Sequence, residues 1–290
     1  MTGSALAIVL VAAFLHAFWN YLTKKSRNKI AFIWWAILFS TILFFPMFLY
    51  YWPAVTISST GWGCIVATGT LHAFYFWFIG GAYERGDLSL VYPLARGSGP
   101  LFVPILAVLF LNERLSILGF LGIAFVIIGI FSVHLRSLSI QSILEPFLTM
   151  KGGASLWALC TGGTIAGYSI VDKIGVTLVH PPVYIYLMFV ITLLLLTPFV
   201  FVKSRLSLKK EWHINKIRIL IVGFLDLFTY LMILFALQIS KVSYVAAVRE
   251  VSIVFSALMG IMWIQEQNAF PKLFGSVFIC AGVVLIGLSL

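Results

Sequence analysis

Apolar residues in this chain come in long unbroken runs, and polar residues collect in the short breaks between them. A helix needs about 20 mainly apolar residues to cross the hydrocarbon layer of a bilayer. Ten segments meet that length: 3 to 23, 30 to 52, 62 to 82, 88 to 111, 116 to 135, 152 to 172, 182 to 202, 214 to 237, 242 to 264 and 270 to 289. Most breaks are too short to let the helices separate, so one bundle is expected. Two breaks are longer and polar, 136 to 151 and 203 to 213, and the first divides the ten spans into five and five.

The two halves share a pattern. Sliding the sequence by 153 positions lays Arg96 on Arg249, Phe102 on Phe255, Glu113 on Glu266, Gly122 on Gly275, Phe125 on Phe278, Gly129 on Gly282 and Leu135 on Leu288, without a gap. An apolar chain matches itself easily at Leu or Phe. A shared Arg, a shared Glu and two shared glycines in one register point instead to an internal duplication. Because each half holds an odd number of spans, the second enters the membrane from the opposite side. The expected fold is therefore an all-α integral membrane protein with ten transmembrane helices as two inverted five-helix repeats: residues 1–135, a linker 136–151, and residues 152–290. In inverted repeats of this kind the solute site lies near mid-membrane, between the halves.

Composition supports the membrane and argues against other classes. With 62% hydrophobic and 10% charged residues, there is too little polar surface to cover a water-soluble globule. Trp52, Trp62 and Trp212 fall near span ends, where amphipathic rings favour the headgroup layer. A net charge of +10 would suggest nucleic acid as the partner of a soluble protein. Here the basic residues gather in loops, so lipid headgroups and topology explain them, and no nucleic-acid partner is expected. Of the 19 Lys and Arg, 14 fall in the loops after spans 1, 3, 5, 7 and 9; only Arg114, Lys173 and Lys241 lie on the other side. That count places the basic loops in the cytoplasm and both termini on the outer face of the cell membrane. The first 20 residues lack the basic start of a secretory signal and are taken as a retained span. Cys64, Cys160 and Cys280 sit in or beside apolar runs without CxxC spacing, as small packing residues do.

The remaining basic residues, Arg96 and Arg249, lie inside spans, roughly 12 to 13 Å deep at ~1.5 Å per residue. A cation there costs ~2.5 kcal/mol or more unless it faces protein or water. Two readings stay open: each Arg is neutralised inside the protein, Arg249 by Glu250 or Asp226, or each offers a planar fork to a carboxylate or phosphate. Pro93, Pro100 and Pro104, with Gly97 and Gly99, predict a kinked or broken helix around Arg96, whereas 242 to 264 has no proline. In span 1, His16 and Asn20 share a face with Trp19 beside it; in span 3, His72 and Tyr75 share a face. Asp226, with Tyr230 one turn on, and Glu250 are the carboxylates well inside spans and the candidates for proton coupling; charge balance for the arginines is the other reading. Asp172, beside Lys173 at a span end, is placed among the headgroups. Trp157, Thr161 and Tyr168 line a cavity or pack. Glu113 and Glu266 close spans 4 and 9 and are expected near the N-terminus of the following helix. Gly122, Gly129, Gly275 and Gly282 let spans 5 and 10 pack closely. No carboxylate or His cluster suggests a metal, and no cofactor is expected.

Together these residues resemble the drug/metabolite transporter superfamily and, within it, the EamA type. The resemblance is carried by His16-Ala17-Phe18-Trp19-Asn20 with Lys24, by Val91 through Gly97 and Asn112-Glu113-Arg114, and by Ala246 through Glu250 with Gln265-Glu266. It implies a basket of ten helices with a central cavity lined by spans 1, 3, 4, 6, 8 and 9, moving small metabolites by alternating access. Relatives are described with cytoplasmic termini, the reverse of the charge count. The expected function is secondary transport of a carboxylate- or phosphate-bearing solute such as an amino acid, with Arg96, Arg249, His16, Asn20, Tyr75, Tyr92 and Tyr230 as solute contacts. The alternative is an exporter of aromatic or cationic compounds. A lipid-modifying enzyme would need a convergent nucleophile or acid-base cluster, and the sequence offers none. A receptor would leave the repeated Arg unexplained. No GxxxxGK[ST] motif is present, so ATP is not expected to drive the process.

Overall fold

Inside hydrocarbon a backbone has no water to bond, and an α-helix satisfies its N–H and C=O groups within one segment. The computed structural model, which describes residues 1–86, 88–133, 153–264 and 269–289, follows that rule, and there is no strand among the described residues. The helices are α1 (Gly3–Lys24), α2 (Lys29–Leu43), α3 (Phe45–Tyr51), α4 (Ser59–Arg85), α5 (Leu88–Leu111), α6 (Ile117–Val133), α7 (Ala154–Leu178), α8 (Pro181–Lys203), α9 (Arg205–Ile239), α10 (Val242–Arg249), α11 (Val251–Met259) and α12 (Ala269–Leu288). Three of them begin on side-chain caps. Thr2, Asn28 and Ser58 accept hydrogen bonds from the N–H groups of Ala5 (3.3 Å), Ala31 (3.0 Å) and Gly61 (3.1 Å).

Among the described residues eight helices are long and apolar enough to cross a membrane, with α10, α11 and the π turn after them counted as one stretch, Val242–Met262. The expected second span is a pair bent by 43°, Lys29–Leu43 and Phe45–Ala54. Pro46 stands in the first turn of α3 and has no N–H to return to the preceding turn, which accounts for the bend. The fifth expected span is the apolar α6 of 17 residues. The linker 136–151 lies outside the described residues.

Three expectations need correction. The polar break 203 to 213 is helical: α9 runs through it, and its one non-helical residue is Asn215. The proline-rich α5 is continuous, and the proline-free copy is the one interrupted, at Glu250, where the Glu250 N–H bonds Ala247 O at 3.1 Å instead of the carbonyl a full α-turn back. Third, Asp172 does not lie at a helix end, because α7 continues to Leu178.

The halves interlock. α6 packs along α12, α7 lies against α4 and α5, and α9 packs on α1 and α2. The α6–α12 contact is backbone to backbone, as the glycine spacing predicts. A Cβ on Gly129 would come 2.7 Å from Gly275 O, and one on Gly122 2.6 Å from Gly282 O. Exposed Leu109, Phe110, Ile117, Val202 and Val277 belong to an apolar outer surface suited to lipid.

Candidate functional site

The corner after α5 shows how the halves are joined. Asn112 takes a left-handed conformation (φ 52°), which Asn tolerates better than most residues, and the Glu113 N–H returns to Ala107 O at 3.2 Å. This closes α5 and aims the Glu113 carboxylate at the start of α10. It accepts from Val242 N (2.6 Å), Ser243 N (3.3 Å) and Ser243 Oγ (2.6 Å). Glu113 therefore caps a helix of the other half, not the following helix as expected; Glu266 lies outside the described residues. Lys173, an electrostatic neighbour of Glu113, closes the helix before it, with Nζ donating to Leu237 O (2.5 Å) and Ser240 O (2.9 Å) at the end of α9.

From that anchored start α10 carries Arg249 and Glu250 into the bundle. Consecutive helical side chains diverge by about 100°, so the two neighbours serve different partners. Glu250, 1% exposed, accepts from Nη2 of Arg96 at 3.0 and 3.2 Å, an ion pair that joins α5 to the α10–α11 break. Arg249, 8% exposed, makes no ion pair or side-chain hydrogen bond among the described residues, and its buried Nε has no partner there. Its electrostatic neighbours are Tyr168, Glu250, Arg96 and Tyr230. The two arginines are thus not equivalent. Arg96 is neutralised inside the protein, and Arg249 is a buried fork with no carboxylate of its own. Asp226, half-buried, forms an ion pair with neither.

His16 on α1 is an electrostatic neighbour of both arginines and packs edge-on to Trp19 at 4.8 Å. Asn20 spends one amide hydrogen on its own helix, donating to His16 O at 2.9 Å. An aromatic stack joins α4, α7 and α9. His72 of α4 stacks on Tyr168 of α7 at 4.2 Å and meets the edge of Tyr230 of α9 at 5.3 Å. Tyr75 lies edge-on to Tyr168 at 6.5 Å. His72 Nδ1 is 2.9 Å from Thr68 O, which places the ring hydrogen on Nδ1 and leaves Nε2 as the acceptor of the neutral ring. The side chain of Tyr92 lies outside the described residues.

The sequence matches the EamA-like transporter family twice, over residues 3–135 and again over 153–288. The chain belongs to that family. A crystal structure described only as that of a protein has the same fold, with a TM-score of 0.75 at 13% identity over 99% of this chain and 98% of the other. No curated protein matches. As a member of the EamA-like family, the chain is a multi-pass membrane transporter of small molecules.

Within this EamA-like chain, the buried Arg249 guanidinium has His16, Tyr168 and Tyr230 as electrostatic neighbours. The group that sequence reasoning misplaced is Asp172. It is fully buried, and its two oxygens accept from Tyr184 (Oδ1, 2.8 Å) and Tyr230 (Oδ2). A signal was available: IGVTL after Lys173 is apolar again, so the helix need not end there. Trp157 packs instead of lining the site. Its ring lies under the Arg85 guanidinium at 4.4 Å and against Trp77, and Thr161 bonds back to Trp157 O at 2.8 Å. A separate apolar groove of about 680 Å³, lined by Phe14, Phe18, Phe39, Leu220 and Phe224 among others, opens between α1, α2 and α9 and holds none of the polar residues above.

Proposed function

We propose that the chain is a secondary carrier for a small metabolite bearing a carboxylate or phosphate, and not an enzyme. Its ten spans form two inverted repeats, 1–135 and 152–290, in the cell membrane, with both termini on the outer face and the basic loops in the cytoplasm. One observation carries the reading: Arg249 is a buried guanidinium with no carboxylate partner among the described residues, whereas its repeat mate Arg96 is paired with Glu250. A charge left unpaired inside a membrane protein is expensive, and a solute anion repays that cost at the moment of binding. Arg249 is the anion ligand in this scheme. His16, Tyr75, Tyr92 and Tyr230 surround the solute, Asn20 offers its remaining amide atoms, and Arg96 with Glu250 sets the geometry of the α10–α11 break.

The test is a thermal-shift screen of purified wild type, Arg96→Lys and Arg249→Gln against amino acids, organic acids, phosphorylated metabolites and lipophilic cations. A ligand that binds the native state raises its apparent stability with saturation. An anion that stabilises wild type and Arg96→Lys but not Arg249→Gln supports the reading. Stabilisation of all three only by cations or aromatics removes it and favours the exporter reading, for which Asp226, half-buried and outside any ion pair among the described residues, is the ligand.

A further inference from the structure

The strongest unexplained feature is the socket around Asp172. This carboxyl is fully buried within α7, which continues past it to Leu178, and no cation lies within ion-pair distance of it among the described residues. The neighbouring Lys173 cannot serve, since its ammonium is spent on the carbonyls of Leu237 and Ser240. A carboxylate removed from water without a counter-cation is among the costliest groups a membrane protein can hold. Packing alone does not require one here. Three helices nonetheless direct polar groups at it: Tyr184 from α8 and Tyr230 from α9 donate to its two oxygens, and His72 from α4 lies close enough to interact with its charge.

We infer that Asp172 is the proton-binding site of this carrier, with Tyr230 as the link between the proton and the solute. The link to the solute rests on the anion-carrier reading above; the proton site does not. In the charged state Asp172 accepts two phenolic hydrogens, one on each oxygen. A proton from the aqueous phase that binds Oδ2 makes this oxygen a donor, and both partners of the Tyr230 contact cannot donate. The contact reverses: the new carboxyl O–H donates to the phenol oxygen, and the Tyr230 hydrogen turns away. One O–H bond is formed, none is lost, and the proton stays on Asp172 until the carrier opens to the other side. Tyr230 is an electrostatic neighbour of Arg249, so the released phenolic hydrogen becomes a donor for an anion held there. Protonation and anion binding then favour each other, and by linkage the effect is equal in both directions. The product is symport of one proton with the anion.

The groups that face this socket set the expected behaviour. Besides the two phenols, α4 contributes Thr68, Cys64 and His72, with the His72 Nδ1 hydrogen already given to Thr68 O. α7 contributes Tyr168, stacked on His72, and α10 contributes Arg249, which acts on His72 and Tyr230 rather than pairing with Asp172. Asp226, one turn before Tyr230 on α9, is the carboxyl nearest to Tyr230 in sequence and the competitor for the proton.

The test needs no knowledge of the solute. Purified full chain in lipid nanodiscs is titrated with pH, and the infrared stretch of a protonated carboxyl is followed. Wild type and Asp226→Asn should show a band that grows as pH falls, and Asp172→Asn should lose it. A band that survives in Asp172→Asn, or that disappears in Asp226→Asn instead, overturns the inference. Tyr230→Phe keeps the ring and removes one hydrogen bond; it should move the band, and an unchanged band also counts against the inference. This variant decides the matter if Asp172→Asn does not fold. Replacing potassium by sodium at fixed pH should change nothing, and a sodium-dependent stabilisation lost in Asp172→Asn would make this a sodium site. Inorganic phosphate, glutamate and succinate are then added in weak buffer. An anion that stabilises wild type should take up one proton per chain, and uptake should vanish in Asp172→Asn. If none of the three stabilises the protein while the band behaves as stated, the anion reading fails and the proton site stands.

Discussion

Removing one charge of the Arg96–Glu250 pair gives the sharpest prediction. The side chains are 9% and 2% exposed, and the contacts are 3.0 and 3.2 Å. With charge centres about 4 Å apart and an effective dielectric of about 20, the attraction is on the order of 4 kcal/mol. That gain offsets the desolvation of both groups, so the intact pair adds little net stability. Breaking it is different, because the survivor stays buried and loses its opposite charge. Glu250→Gln and Arg96→Gln should each cost about 3 kcal/mol, and the double variant should cost far less than their sum. A coupling energy of about 2–3 kcal/mol is expected. The assay is reversible unfolding in mixed micelles, followed by circular dichroism, for wild type, both single variants and the double. Costs that add within about 0.5 kcal/mol would refute the pairing and, with it, the distinction between the two arginines.

Other expectations follow from the same geometry. Arg249→Met should raise the stability of the solute-free protein by about 0.5–2 kcal/mol while abolishing anion-dependent thermal shifts, since function rather than packing holds a lone cation there; a destabilised variant contradicts this. Gly129→Ala brings a Cβ within 2.7 Å of Gly275 O and 2.8 Å of Ile279 N. Backbone cannot yield as a side-chain tip does, so a loss of about 1–3 kcal/mol in the same unfolding assay is expected, against no change for Gly3→Ala, where nothing lies within 4 Å. Glu113→Gln leaves the shape of the α10 cap but removes its charge; a loss of about 1 kcal/mol is expected, and stability equal to wild type would show that the cap is not charge-assisted.

Much of the architecture was legible because a bilayer restricts the options. Apolar runs of spanning length become helices, whatever their neighbours. The duplication marked by Arg96 and Arg249, and the seven-residue glycine spacing in α6 and α12, were equally visible, since pattern alone carries them. The break 203 to 213 was misjudged for a related reason: polarity ends a membrane span, yet it does not end a helix, and α9 runs through as one.

The chain by itself determined the class, most of the helices, the repeat and the burial of Arg96, Arg249 and Glu250. Only the tertiary structure decided which of those groups meet. Arg249 and Glu250 are adjacent in sequence and point about 100° apart on a helix, so the carboxylate pairs with Arg96 on another helix and leaves its neighbour unpaired. Glu113 caps a helix of the opposite half, and Asp172, read as a headgroup residue, is enclosed by Tyr184 and Tyr230 from two further helices. Hydrophobic burial into lipid depends on what each residue is and is summed along the chain. Hydrogen bonds and ion pairs act over about 3 Å and depend on how helices rotate and cross, which no one-dimensional pattern records.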